Sequence, residues 1–111
     1  MAKDLKFVLL LDCYEALLTE KQRDYMELYY CEDLSLSEIS HNQGITRQAV
    51  RDVIKRSEQF LIETEKKLKF AEKIIYLRKH LEDIKLVSAE CSDKDISSSV
   101  NLLVGKCLEI I

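Results

Sequence analysis

The chain has 111 residues, of which 47% are hydrophobic and 33% charged, with a formal net charge of −3 at pH 7. That length suits one domain with a modest core plus a helical appendage, and excludes two large independent domains. The composition excludes a disordered chain, and no apolar run approaches the length of a bilayer span, so a soluble protein without membrane association is expected. The apolar stretch Phe7 to Leu11 is short, runs directly into Asp12 and lacks a small-residue cleavage pattern, so no secretory signal is expected and the location is read as cytoplasmic.

Proline is absent and the only glycines are Gly44 and Gly105, which removes most of the punctuation that sheets and hairpins need; the expected fold class is all-α. Asp4 is positioned to cap a first helix with Leu5, Val8, Leu9, Leu11, Cys13 and Leu17 on its apolar faces, ending near Leu18. Thr19 and Gln22 form a Thr-x-x-Gln capping box for a second helix, whose apolar side is Tyr25, Met26, Leu28, Tyr29 and Tyr30 and which ends near Glu32. The tyrosines are assigned to packing, since aromatic residues at helical spacing beside Met26 and Leu28 are far more often core than base-stacking groups. Ser35 and Glu38 make a second box, predicting a short third helix through Asn42 with Leu36, Ile39 and Ser40 turned inward.

Gly44 supplies a tight turn, and Thr46 caps a fourth helix with no breaker before Lys69, about 36 Å long at roughly 1.5 Å per residue. A continuation after a bend near Phe70 carries Phe70, Ile74, Leu77, Leu81 and Ile84 at alternating spacings of four and three. A polar break from Ser88 to Asp95 precedes a last helix with Ile96, Val100, Leu103, Cys107 and Ile110 at the same spacings, which Gly105 weakens by roughly 1 kcal/mol. Two matching seams joined by a short loop point to an antiparallel helical hairpin. The expected organisation is therefore a helix-turn-helix domain over residues 1–69, with the motif at 35–56, and a C-terminal helical dimerisation segment over 70–111.

The motif is the run SLSEISHNQGITRQAVRDVIKR. A helix-turn-helix that reads DNA needs a small residue in its first helix, a turn glycine and apolar residues locking the pair, so that the second helix can lie in the major groove. Ser40, Gly44 and the set Ile39, Ile45, Val50 and Val53 meet these demands. At 100° per residue, Val50, Val53, Ser57 and Leu61 cluster on one side of the fourth helix, and Arg47, Gln48, Arg51 and Lys55 on the opposite side within about 100°. Arginine pairs bidentately with guanine and glutamine with adenine, each worth roughly 1–3 kcal/mol of discrimination. Lys55 and Arg56 lie further along, where phosphate contacts are expected, and Thr46 offers a hydroxyl or backbone N–H to a phosphate. Asp52 is discordant: it can accept from cytosine, repel phosphate or pair with a neighbouring arginine.

Charge supports this placement. Residues 1–45 carry net −5, residues 46–69 net +3 and residues 70–111 net −1, so the only net-positive segment begins where the recognition helix begins. An acidic chain is a poor general nucleic-acid binder, but a local basic segment suffices for a specific one.

Residues 17 to 61, from LLTEKQRDYMELYYCEDLSLSEIS to GITRQAVRDVIKRSEQFL, resemble region four of bacterial sigma factors, whose helix-turn-helix reads a promoter element. Nothing like a promoter-melting region accompanies them, which excludes a complete sigma factor. LLTEKQRDYMELYY with DLSLSEIS and TRQAVRDVIKR is more closely similar to the YlxM family of small bacterial helix-turn-helix proteins, a resemblance over most of residues 5–68 and weak beyond Phe70. It implies DNA binding and a link to the signal recognition particle pathway. Gln43 departs from the motif, standing before the turn glycine where an apolar residue is usual, so either the turn packs differently or Gln43 is partly solvent-exposed.

Cys13, Cys31, Cys91 and Cys107 have no Cys-x-x-Cys spacing, and His41 and His80 complete no zinc pattern; Cys13, Cys31 and Cys107 are expected to be packed thiols, with Cys91 in a loop. No metal site, cofactor or catalytic constellation is expected. Glu15, Glu20, Asp24, Glu27, Glu32 and Asp33 read as a solvated acidic face. The expected function is a DNA-binding regulatory protein whose partners are double-stranded DNA and a second copy docked through residues 70–111. The rival is an adaptor, bound to protein or RNA components of the signal recognition particle, that retains the motif as scaffold.

Overall fold

The computed structural model describes residues 3–111, and the fold is all-α: the regular elements among these residues are α1 (Lys6–Tyr14), a 3-10 turn (Glu15–Leu17), α2 (Glu20–Tyr30), α3 (Leu36–Gln43), α4 (Arg47–Leu68), α5 (Phe70–Ala89) and α6 (Lys94–Ile110). The chain divides into two compact units, Met1–Ala71 and Glu72–Ile111.

In the first unit α1, α2 and α3 all pack on α4. Its core is built from Phe7, Leu10, Leu11 and Tyr14 of α1, Tyr25, Met26 and Tyr30 of α2, Ile39 of α3, and Val50, Ile54 and Leu61 of α4. Tyr25 and Tyr30 are core residues, as aromatic spacing implied, and the Phe7 and Tyr30 rings lie 5.3 Å apart. Ser57 is fully buried among them, and its hydroxyl donates to the Val53 carbonyl at 2.7 Å. A small side chain that satisfies its own hydroxyl lets neighbouring helices approach α4 without an orphaned polar atom. Ile54, not singled out in the inner set, is buried more deeply than Val53, which is half-buried.

Two expectations for α1 fail. The α-helix stops at Tyr14 and tightens into the 3-10 turn before the extended Leu18. The residue at its N-terminal cap is Leu5, without a side-chain cap, while the Asp4 carboxylate accepts from the Lys6 N–H at 3.0 Å.

The end of α4 is a built joint. Lys69 adopts the left-handed conformation at φ 53° and its N–H donates to the Glu65 carbonyl, ending the helix without a glycine. The chain then restarts at once, and the first amides of α5 need acceptors that no earlier turn supplies. Glu65 Oε1 accepts from the Ala71 N–H at 3.0 Å and from the Tyr14 hydroxyl at 2.5 Å, while the Tyr14 oxygen accepts from the Phe70 N–H at 3.1 Å. Tyr14 is 2% exposed, so α1 supplies a buried hydroxyl to the α4–α5 joint.

In the second unit α5 and α6 form an antiparallel hairpin: Ser88 Oγ donates to Asn101 Oδ1 at 3.2 Å, and ten residues earlier Arg78 donates to the Ile111 carbonyl at 2.9 Å. Asp93 caps α6, accepting from the Asp95 and Ile96 amides. Ser88, expected in the polar break, lies inside α5 and is buried. The α6 seam corrects the expected packing more substantially. Val104 is buried and Asn101 is half-buried on the inner side, whereas Ile96, Leu103, Cys107 and Ile110 are exposed. The 4-3-4-3 spacing marks one apolar stripe, but apart from Val100, which is half-buried about 40° from Val104, its members are exposed and lie about 60–120° around the helix from Val104.

Cys91 lies between α5 and α6 and Cys13 is half-buried, but Cys31 and Cys107 are exposed and not packed. Cys31 follows the last turn of α2, where the chain turns outward; Cys107 belongs to the exposed stripe.

Candidate nucleic-acid interface

Local chemistry sets the two helices of the motif. The Glu38 N–H donates to Ser35 Oγ at 3.0 Å and Glu38 Oε1 accepts from the Ser35 N–H at 3.1 Å, closing the predicted capping box at the start of α3. The helix ends at Gly44, at φ 69°, with its N–H on the Ser40 carbonyl. A Cβ at Gly44 would meet nothing within 4 Å, so glycine is required there by backbone conformation and not by space. Thr46 is extended, and its Oγ1 accepts from the Ala49 N–H at 3.0 Å to open α4. Ile39 and Val50 are fully buried across the turn, with Ile45 half-buried between them. Gln43 is exposed, its amide donating to Asn42 Oδ1 at 2.9 Å, so its polarity costs the turn nothing.

Thr46, Arg47, Gln48, Arg51, Lys55 and Arg56 are all exposed. Arg47, Gln48 and Arg51 are brought together with Leu36 around an open depression of about 500 Å³ between the first turns of α3 and α4. Arg56 is not part of this group, being turned roughly 100° from Lys55 around the helix. Arg47 and Arg51 carry no ion pair among the described residues, which leaves their guanidinium donors available to an external acceptor.

The other two side chains are held. Gln48 Nε2 donates to Asp52 Oδ1 at 2.9 Å, so the partner Asp52 has within the chain is Gln48 and not a neighbouring arginine. Lys55 pairs with Glu58 at 3.7 Å, and the Tyr30 hydroxyl donates to the other Glu58 oxygen at 2.5 Å. An exposed i, i+4 pair is worth only about 0.2–0.5 kcal/mol and a surface ion pair about 0–1 kcal/mol, both below the ~1–3 kcal/mol of a bidentate base contact. Gln48 and Lys55 are therefore oriented by their partners and can still be drawn to a stronger acceptor. Tyr30 remains a neutral donor at any ordinary pH: burial, and then its bond to Glu58, push its pKa far above the usual tyrosine range.

Lys3 went unnoticed in the sequence. Its Nζ donates to the Tyr29 carbonyl at 2.6 Å and the Leu34 carbonyl at 2.8 Å, pairs with Asp33 at 3.1 Å, and lies 4.0 Å from the Tyr29 ring centroid. This ammonium staples the chain start to the α2–α3 loop, where Asp33 takes a positive φ of 56°. With those donors engaged it is a structural cation. Its partners lie 26–31 residues away, so no local pattern announces it.

The acidic side of the domain has its own organisation. Burial raises the Glu27 carboxyl pKa, and repulsion from Glu15 with a hydrogen bond between the two carboxyls adds to the effect. Among the described residues no group of three or more His, Cys, Asp or Glu side chains is arranged to hold a metal ion, and no helix is long and apolar enough to cross a membrane.

Residues 1–102 match the family described as "Putative helix-turn-helix protein, YlxM / p13 like". A UPF0122 protein of Shouchella clausii is 43% identical over 101 residues, covering 91% of each chain, and one of Halalkalibacterium halodurans is 45% identical over 109 residues, covering 98% of this chain and 96% of its own. A Geobacillus relative is 51% identical over 73 residues, or 66% of each chain. Similarity thus continues past Phe70, through α5 and into α6, beyond the reach of the sequence resemblance. The chain belongs to the UPF0122 family of YlxM/p13-like helix-turn-helix proteins.

Proposed function

We propose that the protein binds double-stranded DNA through α4 as a cytoplasmic regulatory or accessory protein, acting as a homodimer through residues 70–111. The observation that carries this reading is the presentation of Arg47 and Arg51, uncommitted and exposed, beside Gln48 at the first turns of a helix whose opposite face is locked into the core. The N-terminal turns of a recognition helix are the part that reaches base edges in the major groove. Arg47, Gln48 and Arg51 read bases, Thr46 and Lys55 fix the register on phosphates, and Arg56 contributes at the flank. Two copies double a modest set of cations, which an acidic chain needs to hold DNA.

The test is binding to a random-sequence duplex pool across a salt series. The expected result is affinity that falls steeply as salt rises, and enrichment of a defined sequence on selection. Arg51→Ala should weaken the selected site by about 1–3 kcal/mol while leaving the melting temperature unchanged. Absence of salt-sensitive binding would refute the reading. It would favour an adaptor of the signal recognition particle, with the motif as scaffold; the Gln48–Asp52 and Lys55–Glu58 pairs, which partly occupy the basic face, speak for that rival.

A further inference from the structure

Leu36 belongs to the first helix of the motif, yet it lines the same depression as Arg47, Gln48 and Arg51 of the second, and among those four residues it is the apolar one. With Arg51, Ile54 and Lys55 it also walls a smaller hollow of about 200 Å³, so Leu36 and Arg51 are shared by both. The side chain is half-buried and packed against the core. Its backbone is fixed from two sides: the Ser35–Glu38 box closes the first turn of α3, and the Lys3 ammonium holds the Leu34 carbonyl at 2.8 Å. A leucine held in this way loses little freedom on meeting a ligand.

We propose that Leu36 reads the 5-methyl group of a thymine next to the base contacted by Arg51. This rests on the DNA-binding reading and adds a sequence preference to it, contributed by the helix that otherwise only positions α4. The chemistry of the major groove narrows the choice. The hydrophobic substituent displayed there is the thymine methyl; guanine, adenine and cytosine present amino groups, ring nitrogens or carbonyl oxygens. A leucine pressed against such a polar edge displaces its water and returns no hydrogen bond, which disfavours those bases. Against the methyl it buries apolar surface on both partners, which favours thymine. Arg47, Gln48 and Arg51 supply donors for the polar edges, so the depression combines one apolar contact with several polar ones. The placement beside Arg51 follows from the two residues that both hollows share.

The test uses the full chain and its selected duplex site, with each thymine replaced in turn by deoxyuridine, which removes the methyl and keeps the base pairing. One replacement, adjacent to the position whose preference Arg51→Ala relaxes, should weaken wild-type binding about fourfold, the equivalent of exposing one methyl-sized group. The same replacement should leave Leu36→Ala unaffected and should still weaken Leu36→Met, which keeps an apolar tip. Leu36→Gln, of similar length, should lose the penalty too and move the selected base at that position away from thymine. Circular dichroism checks the fold of each variant; if Leu36→Ala does not fold, Leu36→Gln carries the comparison. Loss of all salt-sensitive DNA binding in the wild type would overturn both this inference and the reading beneath it. A selected site at which no deoxyuridine replacement weakens wild-type binding would overturn this inference alone. So would a penalty that persists undiminished in Leu36→Ala or Leu36→Gln, since another side chain would then meet the methyl.

Discussion

Tyr14→Phe removes one oxygen from a site that is 2% exposed. That oxygen donates to Glu65 Oε1 at 2.5 Å and accepts from the Phe70 N–H at 3.1 Å, so its loss breaks two hydrogen bonds, one of them to a carboxylate. A hydrogen bond to a charged group contributes about 1.5–3 kcal/mol, and a buried N–H left unpaired costs about 1–3 kcal/mol. Phenylalanine keeps the ring packing, and Glu65 still receives the Ala71 N–H, so the contributions are not additive and a loss of about 2–3 kcal/mol is expected. For a domain of this size that is a fall in Tm of roughly 10–20 °C. The assay is urea denaturation followed by circular dichroism, with wild type and variant fitted to a common slope. A loss below about 0.5 kcal/mol would mean that water replaces the hydroxyl, and would refute the account of Tyr14 as the buried anchor of the α4–α5 joint.

Gly44→Ala forces a Cβ into the left-handed region with no steric clash, so it should cost about 1 kcal/mol, read as a Tm decrease of roughly 4–8 °C, with DNA affinity reduced less than by Arg51→Ala. Tyr30 has its pKa raised by burial and by Glu58. Below the ordinary tyrosine value near 10 both folded and unfolded chains keep the proton; above it only the unfolded chain releases it, so stability is full below pH 10 and declines as pH rises beyond. Tyr30→Phe should flatten that alkaline limb in a pH series of urea melts, although Tyr14, whose pKa is also raised by burial and then by Glu65, retains part of it.

Local chemistry made much of the fold legible. Ser35 with Glu38 and Thr19 with Gln22 form their boxes as written because each pair lies within one helical turn, and Gly44 takes the left-handed turn because glycine alone does so without strain. The exposed cluster of Arg47, Gln48 and Arg51 followed from helical period alone. What lay beyond the sequence were pairings across tens of residues. Lys3 reaches the α2–α3 loop, and Tyr14 joins Glu65 and Phe70 across more than fifty positions.

By itself, then, the sequence determined the succession of helices, the caps at Thr19, Ser35 and Thr46, the turn and the composition of the basic face, since these depend on neighbours three or four residues apart; the start and end of α1 and the end of α5 it did not. Only the tertiary structure decided which cations stay uncommitted and which apolar stripe stays bare. Glu58, which also accepts from Tyr30 of another helix, pairs with Lys55, whereas Arg47 and Arg51 carry no ion pair among the described residues. Periodicity likewise locates the Ile96–Ile110 stripe but cannot say what it faces; the side of α6 that α5 occupies is set by packing around Val104, Asn101 and Ser88, and that choice leaves the stripe to solvent.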